Sequence, residues 1–306
     1  MKLYTWFLYF ILLTGSCITA TVVAEPEKTP PEQTKEIPSF DALQANWVFS
    51  GIVTNESGER YHYFFQMQRN NSRFHATAML LGGQNKQVLL FEESNAVIEN
   101  PEPGNWHVGH NFLQFNPIND SWIFGVKRNN KTGFNFKADM LSSTKDSVAT
   151  QDLRSGVELL VSQTGRLNGH LQVGEDNKEQ FVTGEKAWFR QIWVSQFQEN
   201  LHPFTGILCQ FNDASGFYAV NLQEEDALKG AIAGWRDAQG EPVSMSQFVT
   251  VQEGKEGIWN IHIPSPEIKL ILQDALVKGG ENYQLVAGLT GELKPGFCII
   301  NKDKIG

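Results

Sequence analysis

Val182-Thr183-Gly184-Glu185-Lys186-Ala187-Trp188-Phe189-Arg190-Gln191-Ile192-Trp193-Val194 decides the fold. Its alternation is too regular for a loop, and its Trp, Phe, Ile and Val are too dense for a surface helix. One parity carries Trp188, Arg190 and Ile192; the other carries Phe189, Gln191 and Trp193. Successive side chains of a strand point to opposite faces, so each face here is apolar with one polar group. A half-exposed strand shows one clean polar face instead. The stretch is therefore expected to be a strand covered on both sides, at the junction of two packed units.

Outward from this stretch the chain reads as strand after strand with turn punctuation. Before it come Trp47 to Val53, Arg60 to Arg69, Phe74 to Leu81, Val88 to Phe91, Trp106 to Phe115, Trp122 to Val126, Phe134 to Ala138 and Val157 to Val161. After it come Ile207 to Phe211, Phe217 to Leu222, Ala231 to Asp237, Val243 to Gln252, Trp259 to Ile263, Ile268 to Leu272, Tyr283 to Leu293 and Phe297 to Asn301. No window of helical length shows a three-to-four residue period. An internal repeat marks two related halves: Phe49-Ser50-Gly51-Ile52-Val53 recurs as Phe204-Thr205-Gly206-Ile207-Leu208. Each copy is followed by a Ser-Gly turn, Ser57-Gly58 or Ser215-Gly216, and then by Tyr61 or Tyr218. About eight strands in the second half is the number at which a barrel just encloses a small ligand or a packed interior.

The 306 residues are enough for two ordinary domains. With 21 Phe, 8 Trp and only 19% charged residues, the composition is that of a globular β protein. A net charge of −9 without a basic patch excludes a nucleic-acid partner. Lys2 followed by the short apolar run Leu3 to Leu13 and small residues reads as a signal peptide, residues 1–24, cleaved after Ala20 or Ala24. Thr14-Gly15-Ser16-Cys17 resembles a bacterial lipobox lacking its usual Leu, so Cys17 is a candidate lipid anchor. No other stretch is long enough to span a membrane. Residues 25–38 hold four prolines among polar residues and read as a tether. The domains expected are 39–195 and 196–306, in an exported protein of the periplasm or the extracellular space.

Export leaves Cys209 and Cys298 in an oxidising compartment, where a disulfide is permitted. If the second half is a closed barrel its first and last strands are neighbours, and these cysteines sit in those strands. Two unpaired buried thiols are the alternative.

No motif requires a cofactor, and no Walker loop, Gly-x-Ser-x-Gly elbow or His-Glu-x-x-His is present. His107 and His110, three apart on a strand, would face opposite sides and cannot share a metal. Asn55, Asn70, Asn119 and Asn130 begin glycosylation-type sequons and read as polar turns. Arg73 and His75 share a parity with Met79 and Leu81 and can point inward. Barrels with this many aromatic rings and a few polar groups suit a lipid or polyene-like ligand, although rings more often simply fill a core.

Several motifs resemble those of the lipocalin-like carotenoid hydratase (hydroxyneurosporene synthase) family. They are Trp47 to Gly51, Ser57-Gly58-Glu59-Arg60-Tyr61, Phe64-Phe65 with Arg69, Val182-Thr183-Gly184 with Trp188-Phe189 and Trp193, and Trp235-Arg236-Asp237-Ala238-Gln239-Gly240. The resemblance covers most of the mature chain in order. It implies two lipocalin-like (calycin) antiparallel β-barrels side by side, with a site near their interface. It also implies hydratase or cyclase chemistry on an isoprenoid or polyene alkene, in which an acid protonates the alkene and aromatic faces steady the cation. The family's central motif reads Trp-x-Asp-His-x-Trp-Gly. Here Arg190 stands in place of the Asp, Gln191 of the His and Val194 of the Gly. Neither Arg nor Gln can give the proton. The expected function is therefore binding of a hydrophobic or amphipathic small molecule without hydratase chemistry, through Trp188, Arg190, Gln191, Trp193, Trp235 and His75. Asp237 and Gln191 are the catalytic candidates should the enzyme reading hold. An envelope module with filled barrels is the third reading.

Overall fold

The computed structural model describes residues 40–305, apart from 84–86, 130–131, 141–149, 174–177, 197, 199, 225–226, 256, 281–282 and 292. The expected signal peptide, the tether, Cys17 and Asn130 lie outside the described residues. Twenty-two strands run through those residues. The first antiparallel sheet, barrel A, holds β1 (Gln44–Asn55), β2 (Arg60–Asn70), β3 (Arg73–Gly82), β4 (Val88–Val97), β5 (Asn105–Val108), β6 (Asn111–Asn116), β7 (Ser121–Lys127), β8 (Gly133–Asp139), β9 (Thr150–Arg154), β10 (Val157–Gln163), β11 (Arg166–Gln172), β12 (Glu179–Gly184) and β13 (Trp188–Val194). The second, barrel B, holds β14 (His202–Phe211), β15 (Gly216–Glu224), β16 (Ala227–Arg236), β17 (Pro242–Ser246), β18 (Thr250–Glu253), β19 (Trp259–Pro264), β20 (Glu267–Gly280), β21 (Tyr283–Thr290) and β22 (Gly296–Ile305).

Barrel A runs in the order β4-β3-β2-β1-β12-β11-β8-β7-β6-β5, and barrel B in the order β17-β16-β15-β14-β22-β21-β20-β19-β18. The outermost strands of each order are consecutive in the chain, and in barrel A a branch of β13, β10 and β9 leaves β1 beside β12, so β9 is a further edge. The first and last strands of barrel B are neighbours. Cys209 of β14 stands opposite Cys298 of β22, and the two form a disulfide.

The stretch 182–194 is not one strand. β12 ends at Gly184 and β13 begins at Trp188, with Lys186 in the left-handed region at φ 53°. Both pieces pair with β1, which divides its partners: Ala45 to Ser50 pair with β13, and Thr54 and Asn55 pair with β12. Two other expected strands are hairpins or broken pairs. Trp106 to Phe115 folds at Gly109 (φ 60°) into β5 and β6. Val243 to Gln252 breaks into β17 and β18, which lie at opposite ends of the order of barrel B.

Three apolar cores result. The interior of barrel A is filled by Trp47, Phe49, Tyr63, Phe65, Trp106, Trp122, Phe124, Phe136 and Phe189 among others. The interior of barrel B holds the two cysteines, Phe211, Phe217, Trp259 and several Ile. Between the barrels, Val48, Phe64, Met79, Trp188 and Ile192 pack on Phe204, Leu208, Val220, Phe297 and Ile299. β13 serves two of these cores: Phe189 and Trp193 face into barrel A, while Trp188 and Ile192 face barrel B. That is why both of its faces are apolar.

Candidate functional site

The junction between the barrels carries a buried polar network. Arg190 leaves β13 toward barrel B and is fully buried. Its Nη1 donates to Asn301 Oδ1 at 2.8 Å and its Nη2 to Asn46 Oδ1 at 3.1 Å. Its guanidinium carbon lies 5.5 Å from the centre of the Phe204 ring. Asp303 of β22 accepts from Gln66 Nε2 (2.9 Å), Gln68 Nε2 (3.2 Å) and Asn46 Nδ2 (3.4 Å). Asn46 therefore bridges guanidinium and carboxylate. Burial lowers the Arg190 pKa to about 9, against the attraction of Asp303. Burial likewise raises that of Asp303, against its hydrogen bonds from Lys304 N–H, Gln66 and Gln68. The network is not fully satisfied: Arg190 Nε, Asn301 Nδ2 and Gln66 Oε1 are buried without a hydrogen-bond partner.

The repeat explains how the side chains cross. A Cβ on Gly206 would overlap Arg190 Nη1, and a Cβ on Gly51 would stand 2.9 Å from Gln210 Oε1. Each half thus keeps a glycine where a polar side chain passes close to its backbone.

The sequence-derived site residues do not form one cluster. Trp188 lies in the junction, where its indole N–H donates to the Cys209 carbonyl at 2.7 Å and its ring meets Tyr218 edge-on. His75 is half-buried at the edge of the junction, with Nδ1 3.0 Å from Asn95 Oδ1, Nε2 3.1 Å from Thr77 Oγ1, and its ring edge-on to Tyr283. Arg73, expected to point inward, is exposed. Gln191 and Trp193 sit on the other face of β13, inside barrel A: Gln191 stands opposite Leu160 and Trp47, and Trp193 belongs to that core. Trp235 packs inside barrel B on Phe211 and Phe217, beside a cavity of about 10 Å³. Asp237 caps a turn, its Oδ1 accepting the N–H groups of Gln239 and Glu241, both at 2.9 Å. His107 and His110 diverge because His110 lies in the β5–β6 turn, where its Nδ1 is 3.0 Å from Glu92 Oε1. Among the described residues no three His, Cys, Asp or Glu are grouped to hold a metal, and no helix is long and apolar enough to cross a membrane.

Barrel A holds what the sequence reading missed. Aromatic rings meet across its interior, Phe49 of β1 on Phe124 of β7 at 4.2 Å and Tyr63 of β2 on Phe136 of β8 at 5.1 Å. Among those rings are buried polar atoms with no hydrogen-bond partner: the Tyr63 hydroxyl, the Ser162 hydroxyl, the indole nitrogens of Trp47 and Trp106, and both amide atoms of Asn111. Tyr63, Trp47 and Asn111 are fully buried, and burial raises the Tyr63 pKa. The signal was present in β6, where Asn111, Leu113 and Phe115 share a parity and an amide interrupts an apolar row.

No family model and no curated protein matches this chain. Solved structures do. A Nitrosomonas europaea protein provisionally assigned as AttH aligns with TM-score 0.60 and 13% identity over 90% of this chain and 98% of its own. Kievitone hydratase of Nectria haematococca aligns with TM-score 0.59 and 14% identity over 85% and 88%. CghA, solved with Sch210972, aligns with TM-score 0.52 and 10% identity over 87% and 89%. At such identities the likeness is one of fold: the chain is all-β, a pair of lipocalin-like antiparallel barrels packed side by side.

Proposed function

We propose that this is an exported protein that binds an amphipathic small molecule of lipid, polyene or isoprenoid type near the junction of the barrels, without hydratase chemistry. One observation carries the reading: polar atoms without partners, Arg190 Nε, Asn301 Nδ2 and Gln66 Oε1 among them, are buried beside apolar and aromatic side chains at the junction. An unsatisfied buried polar group costs roughly 1–3 kcal/mol, and a ligand with an oxygen or nitrogen head removes that cost while its body packs on the rings. The position where the resembled family keeps its Asp is occupied by Arg190, whose two terminal nitrogens hold the barrels together. Export is supported by the Leu3 to Leu13 run and by the disulfide, which needs an oxidising compartment. Cys17 as a lipid anchor belongs to the same reading, and labelling with a fatty acid tests it.

The test is native mass spectrometry of the protein purified without denaturant, followed by titration with apolar probes while tryptophan emission is read. An apolar adduct or saturable quenching is expected. An unliganded mass together with no quenching by any probe overturns the reading in favour of an envelope module with filled barrels.

A second reading, a hydratase- or cyclase-type enzyme on an isoprenoid or polyene alkene, is favoured by Asp303. Its carboxyl is pushed toward the protonated form by burial, is held by Asn46, Gln66 and Gln68, and attracts Arg190 of the central motif. Loss of alkene turnover in Asp303→Asn with an intact fold supports it; absence of any turnover in the native protein removes it.

A further inference from the structure

We propose that the outer face of β18, β19 and β20 in barrel B is a saccharide site, which takes a neutral mono- or disaccharide unit. The site lies apart from the junction of the barrels and does not depend on the reading given for it.

The face holds a cavity of about 290 Å³, at the low end of small-molecule sites. Ile261 and Leu270 belong to the core of barrel B, so alternation turns Asn260, His262, Lys269 and Ile271 outward. Register sets Thr250 and Gln252 of β18 beside His262 and Asn260 of β19. It sets those two in turn beside Lys269 and Ile271 of β20. All six line the cavity. The outer wall of a barrel is ordinarily convex. Here the register of β20 shifts between Gln273 and Leu276, and such a bulge bends its strand. The turn between β18 and β19 is tied to the bulge by the Ala275 N–H, which donates to the Gly257 carbonyl at 3.3 Å.

The lining divides by chemistry. Lys269 Nζ stands 3.2 Å from Glu267 Oε1, and His262 Nε2 stands 3.7 Å from the same oxygen. The cation therefore already has a counter-charge, and the whole chain carries a net charge of −9. Both features disfavour an anion. Thr250, Gln252 and Asn260 differ: their side chains make no hydrogen bond among the described residues. Two primary amides and a hydroxyl, side by side, each offer donor and acceptor. Neighbouring hydroxyls of a sugar return both. Ile271, 44% exposed, supplies an apolar spot for the C–H face of the ring. The lining has no Phe, Tyr or Trp ring on which a base or a flat aromatic ligand would stack.

The experiment follows the Ile271 methyl, assigned with Ile271→Val, by nuclear magnetic resonance of the full protein with isotope-labelled isoleucine methyls. The probes are maltose, cellobiose and N-acetylchitobiose. At least one should give a saturating shift with a midpoint of about 1–10 mM, unchanged by added sodium chloride, while the buried Ile300 methyl stays still. Gln252→Leu and Asn260→Leu should each weaken binding about fivefold, and Lys269→Gln by less than about twofold. Melting temperatures check that the variants fold; should Asn260→Leu fail, Gln252→Leu, on the exposed edge strand, decides. Maltoheptaose binding more tightly than maltose assigns the ligand to a segment of a glycan, and equal affinity to a free sugar; either upholds the site. No shift with any of the three disaccharides, or an equal shift with glycerol, overturns the proposal. So does binding that salt or Lys269→Gln abolishes and the amide variants keep.

Discussion

Gln210 accepts the Ile52 N–H through its side-chain oxygen at 2.9 Å, at the place where β1 has passed from β13 and not yet reached β12. Its nitrogen donates to the Glu185 carbonyl at 2.7 Å, in the turn between those two strands. A side chain of barrel B thus completes the hydrogen bonding of barrel A. Gln210→Leu keeps the bulk and leaves both backbone groups unpaired. An unsatisfied buried group costs roughly 1–3 kcal/mol; Glu185 is exposed and Ile52 half-buried, so water takes up part of the loss and about 1–2 kcal/mol is expected in urea unfolding. A change within error would show that the gap is satisfied in some other way.

Arg190 should be intolerant of truncation for a similar reason. Removing one member of a buried charge network costs about 3–5 kcal/mol, and Arg190→Ala also strands Asn46 and Asn301. Arg190→Asp, which restores the residue type of the resembled motif, turns a carboxylate toward buried Asp303. It should yield insoluble protein and no hydration of any alkene. Soluble Arg190→Asp with native stability would remove the junction network from the account.

Acid should loosen the junction through His62. This residue is buried against Phe297, with ring centres 4.8 Å apart, and its Nδ1 has no partner. Burial, with Arg60 nearby, lowers its pKa from 6.5 to about 4. The unfolded chain therefore binds the proton more tightly, so stability is complete above pH 6.5 and falls as pH drops toward 4. At about 1.4 kcal/mol per pKa unit the loss approaches about 3 kcal/mol. Asp303 acts in the opposite direction, because its raised pKa makes the folded state hold its proton more tightly. His62→Phe should flatten the limb between pH 6.5 and 4, and Asp303→Asn should steepen it. An unchanged limb in His62→Phe counts against the assignment.

The disulfide should matter more for stability than for access. It links residues 89 apart, with both cysteines fully buried. Closing a loop of that size constrains the unfolded chain by about 4–5 kcal/mol in the chain-entropy treatment. Cys209→Ser with Cys298→Ser should lower the urea midpoint accordingly. Dithiothreitol should leave the folded protein oxidised and act only once denaturant opens it. Reduction within minutes under native conditions would show that barrel B opens readily.

The strand composition, the two halves and the two-faced stretch around Trp188 were legible because period-two alternation and apolar density are local properties. The strands β11 and β9 were not. β11 presents Leu167 and Leu171 inward, with Gly169 between them and Arg166 and His170 outward, so it offers too few large residues to stand out. β9 is polar along most of its length. The turn at Lys186 was hidden because apolar parity resumes on its far side. For the site, the sequence supplied Trp188, Arg190 and Gln191 but not their distribution. A strand separates its neighbours onto opposite faces, so Arg190 and Gln191, adjacent in the chain, belong to different compartments. Asn111 showed in the sequence only as an amide in an apolar parity row; that the amide has no partner is a property of its surroundings.

β13 shows one face to the inside of barrel A and the other to barrel B. A single barrel A, cut free, would therefore present Val48, Phe64, Met79, Trp188 and Ile192 to water as one sticky patch, and it would lose the glutamine that finishes its wall. The pair, not the barrel, is the smallest heritable piece of this architecture, and a gene split between the two sheets would give two aggregating fragments rather than two small proteins.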